Sequence, residues 1–269
     1  MWLILILLFS HGFVNSATDE SINTISRVKS FALSPASLQD LLKKDEKIIL
    51  VDVRSSDEFQ KVKIPGSINV PLFTLKTKEF LKQKSLVLIN NGLGYRALEL
   101  ECKKLKNIGF QSVRILYGGL NYWRDLKGPL EGNFFDINEI SYILPAEYLM
   151  DKNYDDWLVI DISRSASKKE NELIPNTVNM SSTENDDNLA IKLSAIITKQ
   201  KALLPQHVLI VSDDDKKYHN ISKIIKNNPD LLNIFYLRGG LADYADYLEK
   251  QKAIQPSNKK IVKKCASCP

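Results

Sequence analysis

Leu86-Val87-Leu88-Ile89-Asn90 runs into Asn91-Gly92-Leu93-Gly94-Tyr95-Arg96 and then into Ala97-Leu98-Glu99-Leu100-Glu101-Cys102-Lys103-Lys104-Leu105. The first segment is a short continuous apolar run, as parallel strands buried on both faces require. The last has Leu98, Cys102 and Leu105 at i, i+4 and i+7, so it reads as an amphipathic helix with Cys102 on the buried face. Between them lies a glycine-containing turn. A strand that passes through a short turn into a helix N-terminus leaves amide groups pointing into the turn, and this makes an anion cradle.

Laid on itself, the chain repeats. Ile49-Leu50-Val51-Asp52-Val53-Arg54 answers Leu158-Val159-Ile160-Asp161-Ile162-Ser163. Ile64-Pro65-Gly66-Ser67-Ile68-Asn69-Val70 answers Ile174-Pro175-Asn176-Thr177-Val178-Asn179-Met180 at a shift of 110. Pro35-Ala36 and Pro145-Ala146 open apolar-periodic helices at the same shift. Val113 to Leu120 answers Ile234 to Leu241 at a shift of 121, so the second copy carries about eleven extra residues, expected around Ser181 to Asn188. Helices between short apolar strands predict right-handed crossovers and an α/β fold: two domains in tandem, each an open, mostly parallel sheet flanked by helices. The domains are expected over 31–132 and 142–253, joined by a linker at Asn133 to Ser141.

The bulk numbers agree with two cores. There are 269 residues, 44% of them hydrophobic. Lys plus Arg is 37 against 32 Asp plus Glu, a net charge of +5 that is too mild and dispersed to indicate nucleic acid. Met1 to Phe9 is almost wholly apolar but falls short of the ~20 residues of a spanning helix. It predicts a signal peptide over residues 1–16, cut after Val14-Asn15-Ser16, and export to the periplasm or beyond. An uncleaved N-terminal anchor is the rival; with cleavage the chain is not an integral membrane protein.

These blocks resemble the rhodanese family of thiosulfate and mercaptopyruvate sulfurtransferases, in tandem. Val51-Asp52-Val53-Arg54, Glu58-Phe59 and Ile64 to Asn69 look like the family's N-terminal signature. Gly109-Phe110, Val113 to Gly119, Trp123 and Gly128-Pro129 look like its C-terminal one. The second copy matches more weakly, with Tyr244 in place of the tryptophan. The resemblance implies a six-residue loop beginning with a cysteine that carries sulfur as a persulfide, its thiolate favoured by loop amides and the helix N-terminus. Here that first position is Asn91, while Gly94 and the closing Arg96 are kept. The second loop is Asp213-Asp214-Asp215-Lys216-Lys217-Tyr218, with Asp213 at the nucleophile position and Tyr218 at the arginine position. An amide or a carboxylate forms no persulfide, so neither loop performs the family reaction by itself. Three acids around the second cradle are expected to repel anions. Asn91, Gly92, Leu93, Gly94, Tyr95 and Arg96 remain a candidate anion or ligand site. Asp52 and Arg54 are expected to support the loop through hydrogen bonds and an ion pair, and Trp123 to anchor the core.

The other thiols lie at the C-terminal end. Cys265-Ala266-Ser267-Cys268-Pro269 follows Lys259-Lys260-Ile261-Val262-Lys263-Lys264, giving a basic tail over 256–269 that is expected to be flexible. Haem attachment needs a histidine where Pro269 stands, and structural zinc needs two further ligands, so no cofactor and no metal site within one chain is expected. A disulfide-closed tail and a mobile redox or sulfur-carrying arm both stay open, as does a metal shared with a partner.

Three functional readings follow. In the first, an exported, non-catalytic rhodanese-like protein binds an anion or ligand, such as a small sulfur-containing anion, as an accessory module in sulfur or thiol-redox metabolism. In the second, Cys265 or Cys268 serves as the sulfur carrier of a true sulfurtransferase, or meets a thiol-redox partner protein. In the third, the protein is a structural partner-binding module whose basic tail docks on an acidic surface.

Overall fold

The structure is a computed structural model that describes residues 31–44, 46–153, 157–163, 173–180, 186–201, 207–226, 228 and 231–254. Two five-stranded parallel sheets carry the chain. In the first, β1 (Ala32–Leu33), β6 (Ser112–Leu116), β5 (Ser85–Ile89), β2 (Ile48–Asp52) and β4 (Ile68–Asn69) lie side by side in that order. In the second, the same order is occupied by β8 (Tyr142–Ile143), β12 (Ile234–Leu237), β11 (His207–Val211), β9 (Trp157–Asp161) and β10 (Val178–Asn179). The internal repeat is therefore a repeat of topology. β3 (Val62–Lys63) and β7 (Glu131–Gly132) form a small antiparallel ribbon beside the first sheet.

Both central strands are buried on two faces, which is why their sequences are continuous apolar runs. Along β5, Leu86 and Leu88 pack with Leu98, Cys102 and Leu105 of helix Tyr95–Asn107, while Val87 and Ile89 pack with Leu38, Leu120 and Trp123 on the other side. Along β11, Val208 and Ile210 meet Tyr218, Ile221 and Ile225, while Leu209 and Val211 meet Tyr148, Leu241 and Tyr244. Burying one such side chain contributes roughly 1.5–3 kcal/mol, so these two strands anchor their domains.

Local chemistry starts the helices. Ser34 accepts the Ser37 amide at 3.0 Å ahead of helix Pro35–Lys43, which has proline in its first turn. Ser55 and Glu58 form a capping box on helix Ser56–Lys61. The extra length of the second copy lies between β10 and β11, where helix Asp186–Lys201 stands in place of the short helices Leu72–Leu75 and Glu79–Leu81.

Trp123 is fully buried, and its Nε1 donates to the Pro129 carbonyl at 3.0 Å. A Cβ on Gly128 would sit 2.2 Å from the indole, so the Trp123-Gly128-Pro129 spacing is one packing unit. Tyr244 occupies the equivalent place in the second core and is likewise fully buried. The stretch 133–141 holds helix Phe134–Glu139, capped by Asn133, and Ile137 and Ile140 pack on the first domain.

The two domains share a polar seam. Asn121 Nδ2 donates to the Ile234 carbonyl at 3.1 Å, and the Asn233 amide donates to Asp125 Oδ2 at 2.8 Å. Arg124 ties the seam together by donating to Asp125, Asn121 and Ser141. No helix among the described residues is long and apolar enough to cross a membrane. The expected signal peptide and the basic tail with Cys265 and Cys268 lie outside the described residues.

Candidate functional site

Each domain places its six-residue loop at the carboxyl end of its central strand, against a double-glycine turn, Gly118-Gly119 in the first and Gly239-Gly240 in the second. In the first domain the Leu120 and Asn121 amides donate to the Asn90 and Asn91 carbonyls at 2.9 and 3.4 Å. In the second the Leu241 and Ala242 amides donate to the Ser212 and Asp213 carbonyls at 2.8 and 3.3 Å. Asn91 and Asp213 are therefore structurally equivalent. The approach is close: a Cβ on Gly119 would lie 2.3 Å from the Gly92 nitrogen, and one on Gly240 would lie 2.5 Å from the Ser212 carbonyl.

The first loop is closed on itself by side-chain oxygens. Asn90 Oδ1 accepts the Gly92 amide at 2.9 Å, and its Nδ2 donates to the Leu93 carbonyl. Asn91 Oδ1 turns inward to accept the Leu93 amide at 3.3 Å. The Gly94 amide, which the sequence left for an incoming anion, donates to Asp151 Oδ1 at 3.0 Å. Asp151 ends helix Pro145–Asp151 of the second domain and is 5% exposed. The cradle thus already holds a carboxylate, which an external anion would have to displace.

Around this loop, Leu93 packs into the second domain with Phe235, Ile143 and Tyr148. Tyr95 is buried, its ring edge-on to Tyr117 with centroids 5.9 Å apart. Arg96 is exposed on the first turn of helix Tyr95–Asn107 and makes no ion pair with the described residues. Of the six candidate residues, the structure brings the Gly94 amide onto Asp151 and Leu93 into the second domain's core, while Arg96 stays at the surface.

Asp52 and Arg54 sit below the loop. The buried Asp52 carboxylate accepts Arg54 Nε at 3.0 Å and Nη2 at 2.7 Å, and Arg54 also donates to the Val62 carbonyl at 2.6 Å. Asn69 Nδ2 bonds the carbonyls of Asp52 and Arg54, and the Val53 amide donates to the Ile89 carbonyl. These contacts fix the strand end next to the one that carries the loop. In the second domain Asp161 keeps this place and binds the Ser163 amide and hydroxyl at 2.8 and 2.6 Å.

The second loop is ordered by its own charges. Lys217 pairs with Asp213 at 3.5 Å and donates to the Ile162 carbonyl at 3.2 Å. Lys216 pairs with Asp214 at 3.2 Å, and hydrogen bonds from the Lys216 amide and side chain hold the Asp214 carboxyl below its ordinary value. Two of the three acids are thus locally compensated. Tyr218, at the arginine position, is fully buried and its hydroxyl accepts the Ser212 amide at 3.0 Å. Burial raises the phenol's pKa well above its ordinary value, so it stays protonated.

Cys102 is the one cysteine among the described residues. It is free, fully buried and pushed up to about 12, first by burial and then by Glu99 and Glu101. A thiol so placed is a packing group, and a nucleophile needs the thiolate. Among the described residues no group of three or more His, Cys, Asp or Glu side chains could hold a metal ion.

Sequence reasoning passed over Asp151. Its one local signal is an acid at the end of a helix, where the macrodipole disfavours negative charge. A residue that breaks a local rule points to a tertiary partner.

The profile of the rhodanese-like domain matches residues 34–126. The putative sulfurtransferase YtwF of Bacillus subtilis is 30% identical over 93 residues, covering 34% of this chain and 87% of that protein. The adenylyltransferase and sulfurtransferase MOCS3 of Arabidopsis thaliana is 28% identical over 109 residues, covering 34% of this chain and 23% of that protein. The chain spans about a quarter of the length of the first curated relatives it matches. Among solved structures, the BH2092 protein of Bacillus halodurans is 29% identical, covers 43% of this chain and 86% of its own, and superposes with a TM-score of 0.36.

Proposed function

The chain belongs to the rhodanese-like family, and from that premise we propose that it is an exported, non-catalytic member that binds a small anion. A role in sulfur metabolism follows from the family and from the sulfurtransferase names of its relatives. The observation that carries the non-catalytic reading is the state of the nucleophile position. Asn91 stands there with its side-chain oxygen committed to the Leu93 amide, and Asp213 stands at the equivalent place. Neither atom set can accept a sulfane sulfur.

The ligand we propose is an oxyanion such as thiosulfate, seated at the Gly94 amide in place of the Asp151 carboxylate. Arg96, one residue into the helix, supplies the compensating charge. The apolar N-terminal run supports action outside the cytoplasm. The basic Cys265–Cys268 tail is the proposed contact for a thiol-redox partner protein.

A thiosulfate:cyanide assay on the reduced full chain tests this, repeated with Cys265→Ser and Cys268→Ser. The expected result is no turnover, with calorimetric thiosulfate binding that is lost in Arg96→Ala. Turnover abolished by either tail substitution would overturn the proposal in favour of a tail-borne sulfur carrier. With neither turnover nor binding, the structural partner-binding reading would replace it.

A further inference from the structure

A groove of about 1030 Å3 opens between helix Phe134–Glu139 and helix Tyr218–Lys226, and none of its lining residues belongs to either six-residue loop. We propose that this groove binds an amphipathic organic anion: a carboxylate, sulfonate or phosphate carried on an aromatic or aliphatic body. Its volume is that of a small-molecule site, which typically spans roughly 300–1,000 Å3.

The walls supply both halves of such a ligand's recognition. Leu130, Ile225 and Ile234 line an apolar floor, and Phe134 and Phe135 stand at the rim 74% and 80% exposed. Two adjacent phenylalanines left in water beside a cavity mark a surface that gains from being covered. Among the described residues the charged lining is unbalanced. Arg124, Lys127, Lys223 and Lys226 face Asp125 and Glu139, and both acids are already committed. Asp125 accepts Arg124 and the Asn233 amide, and Glu139 accepts Arg238. Lys127, Lys223 and Lys226 are left exposed on the groove with no acid paired to them among the described residues.

Lys226 joins the two halves. Its Nζ lies 5.8 Å from the centroid of the Phe134 ring and donates to Asn138 Oδ1 at 2.6 Å. Partial burial of its ammonium and then the charge of Arg124 hold it below the ordinary lysine value; Asp125 opposes this and Lys127 adds to it. Cations from separate segments therefore crowd one space, and a bound anion relieves that repulsion. The chain's own lysine-rich tail has the wrong sign to fill the groove.

Fluorescence titration of the full chain with 1-anilinonaphthalene-8-sulfonate tests this, alongside N-phenyl-1-naphthylamine, the same aromatic body without the sulfonate. Saturable sulfonate binding is expected, at least about tenfold tighter than that of the neutral amine, each tenfold corresponding to about 1.4 kcal/mol. The double variant K223E/K226E and the single variant F134S should each weaken it by about tenfold or more. All of these replace exposed side chains, and unchanged circular dichroism and melting temperature would show that the fold is intact. Undiminished sulfonate binding in both variants would overturn the proposal, as would equal affinity for the neutral amine.

Discussion

The Asp151 carboxylate receives the Gly94 amide at 3.0 Å, across 57 residues of sequence and from one domain to the other. It occupies the position that the loop's geometry offers to an anion. The contact is at once a structural bond between domains and a competitor for any external ligand of the loop. Asp151→Ala leaves a partly buried amide unpaired and should cost about 1–3 kcal/mol in urea denaturation. Asp151→Asn keeps an acceptor oxygen but drops the charge, so it should cost less and should bind thiosulfate more tightly than the wild type. Weaker or unchanged thiosulfate binding in Asp151→Asn would show that the carboxylate is not a competitor.

The seat of the loop on its glycine turn leaves no room for a methyl group. Gly92 has a φ of +118°, and a Cβ there would meet the Gly118 carbonyl oxygen at 2.5 Å. Gly92→Ala should therefore destabilise the protein by at least about 1–3 kcal/mol through backbone strain, with the steric clash added. Gly94→Ala is a useful contrast, because its φ of +68° is left-handed but nothing lies within 4 Å of the added Cβ. It should cost less, and thermal melts of the two variants side by side check the order.

Trp123 fills the centre of the first domain's second apolar layer. Trp123→Ala should cost about 3–5 kcal/mol, the range for deleting a buried aromatic side chain. Trp123→Phe should cost less, losing the hydrogen bond to the Pro129 carbonyl and part of the packing on Gly128. Chemical denaturation midpoints give both values.

The Cys102 thiol is raised from 9.0 to about 12 in the folded protein. The unfolded chain releases this proton first as pH rises, so the stabilisation is complete below pH 9 and is lost between about 9 and 12. The wild type should therefore lose more stability than Cys102→Ala over the alkaline range that urea midpoints can reach. At pH 8 a thiol reagent should label Cys102 only on unfolding, a point best read in the Cys265→Ser/Cys268→Ser background. Rapid labelling of the native protein in that background would contradict the burial.

Much of this arrangement is legible in the sequence, and the reasons are local. Continuous apolar runs such as Leu86 to Ile89 and Val208 to Val211 specify strands covered on both faces, and both central strands are so covered. The periodicity of Leu98, Cys102 and Leu105 places all three in the core. The stretch read as a linker was less transparent. Its Asn133 cap starts a helix, and Ile137 and Ile140 attach that helix to the first domain, an outcome fixed by packing rather than by composition.

Sequence alone determined the two-fold repeat of parallel α/β units, the position of the loop in each, and the presence of Asn91 and Asp213 at equivalent places in the two loops. These rest on short-range patterns: side-chain periodicity, glycine at turns, and the chemistry of single residues. Only the tertiary structure decided what fills the first cradle and where the groove's cations gather. Asp151 reaches Gly94, and Lys127 and Lys226 share a groove, because the domains meet along one seam. Contacts between residues so distant in sequence leave no period or local motif, since they arise from the burial and hydrogen bonding of two surfaces that the folded chain creates.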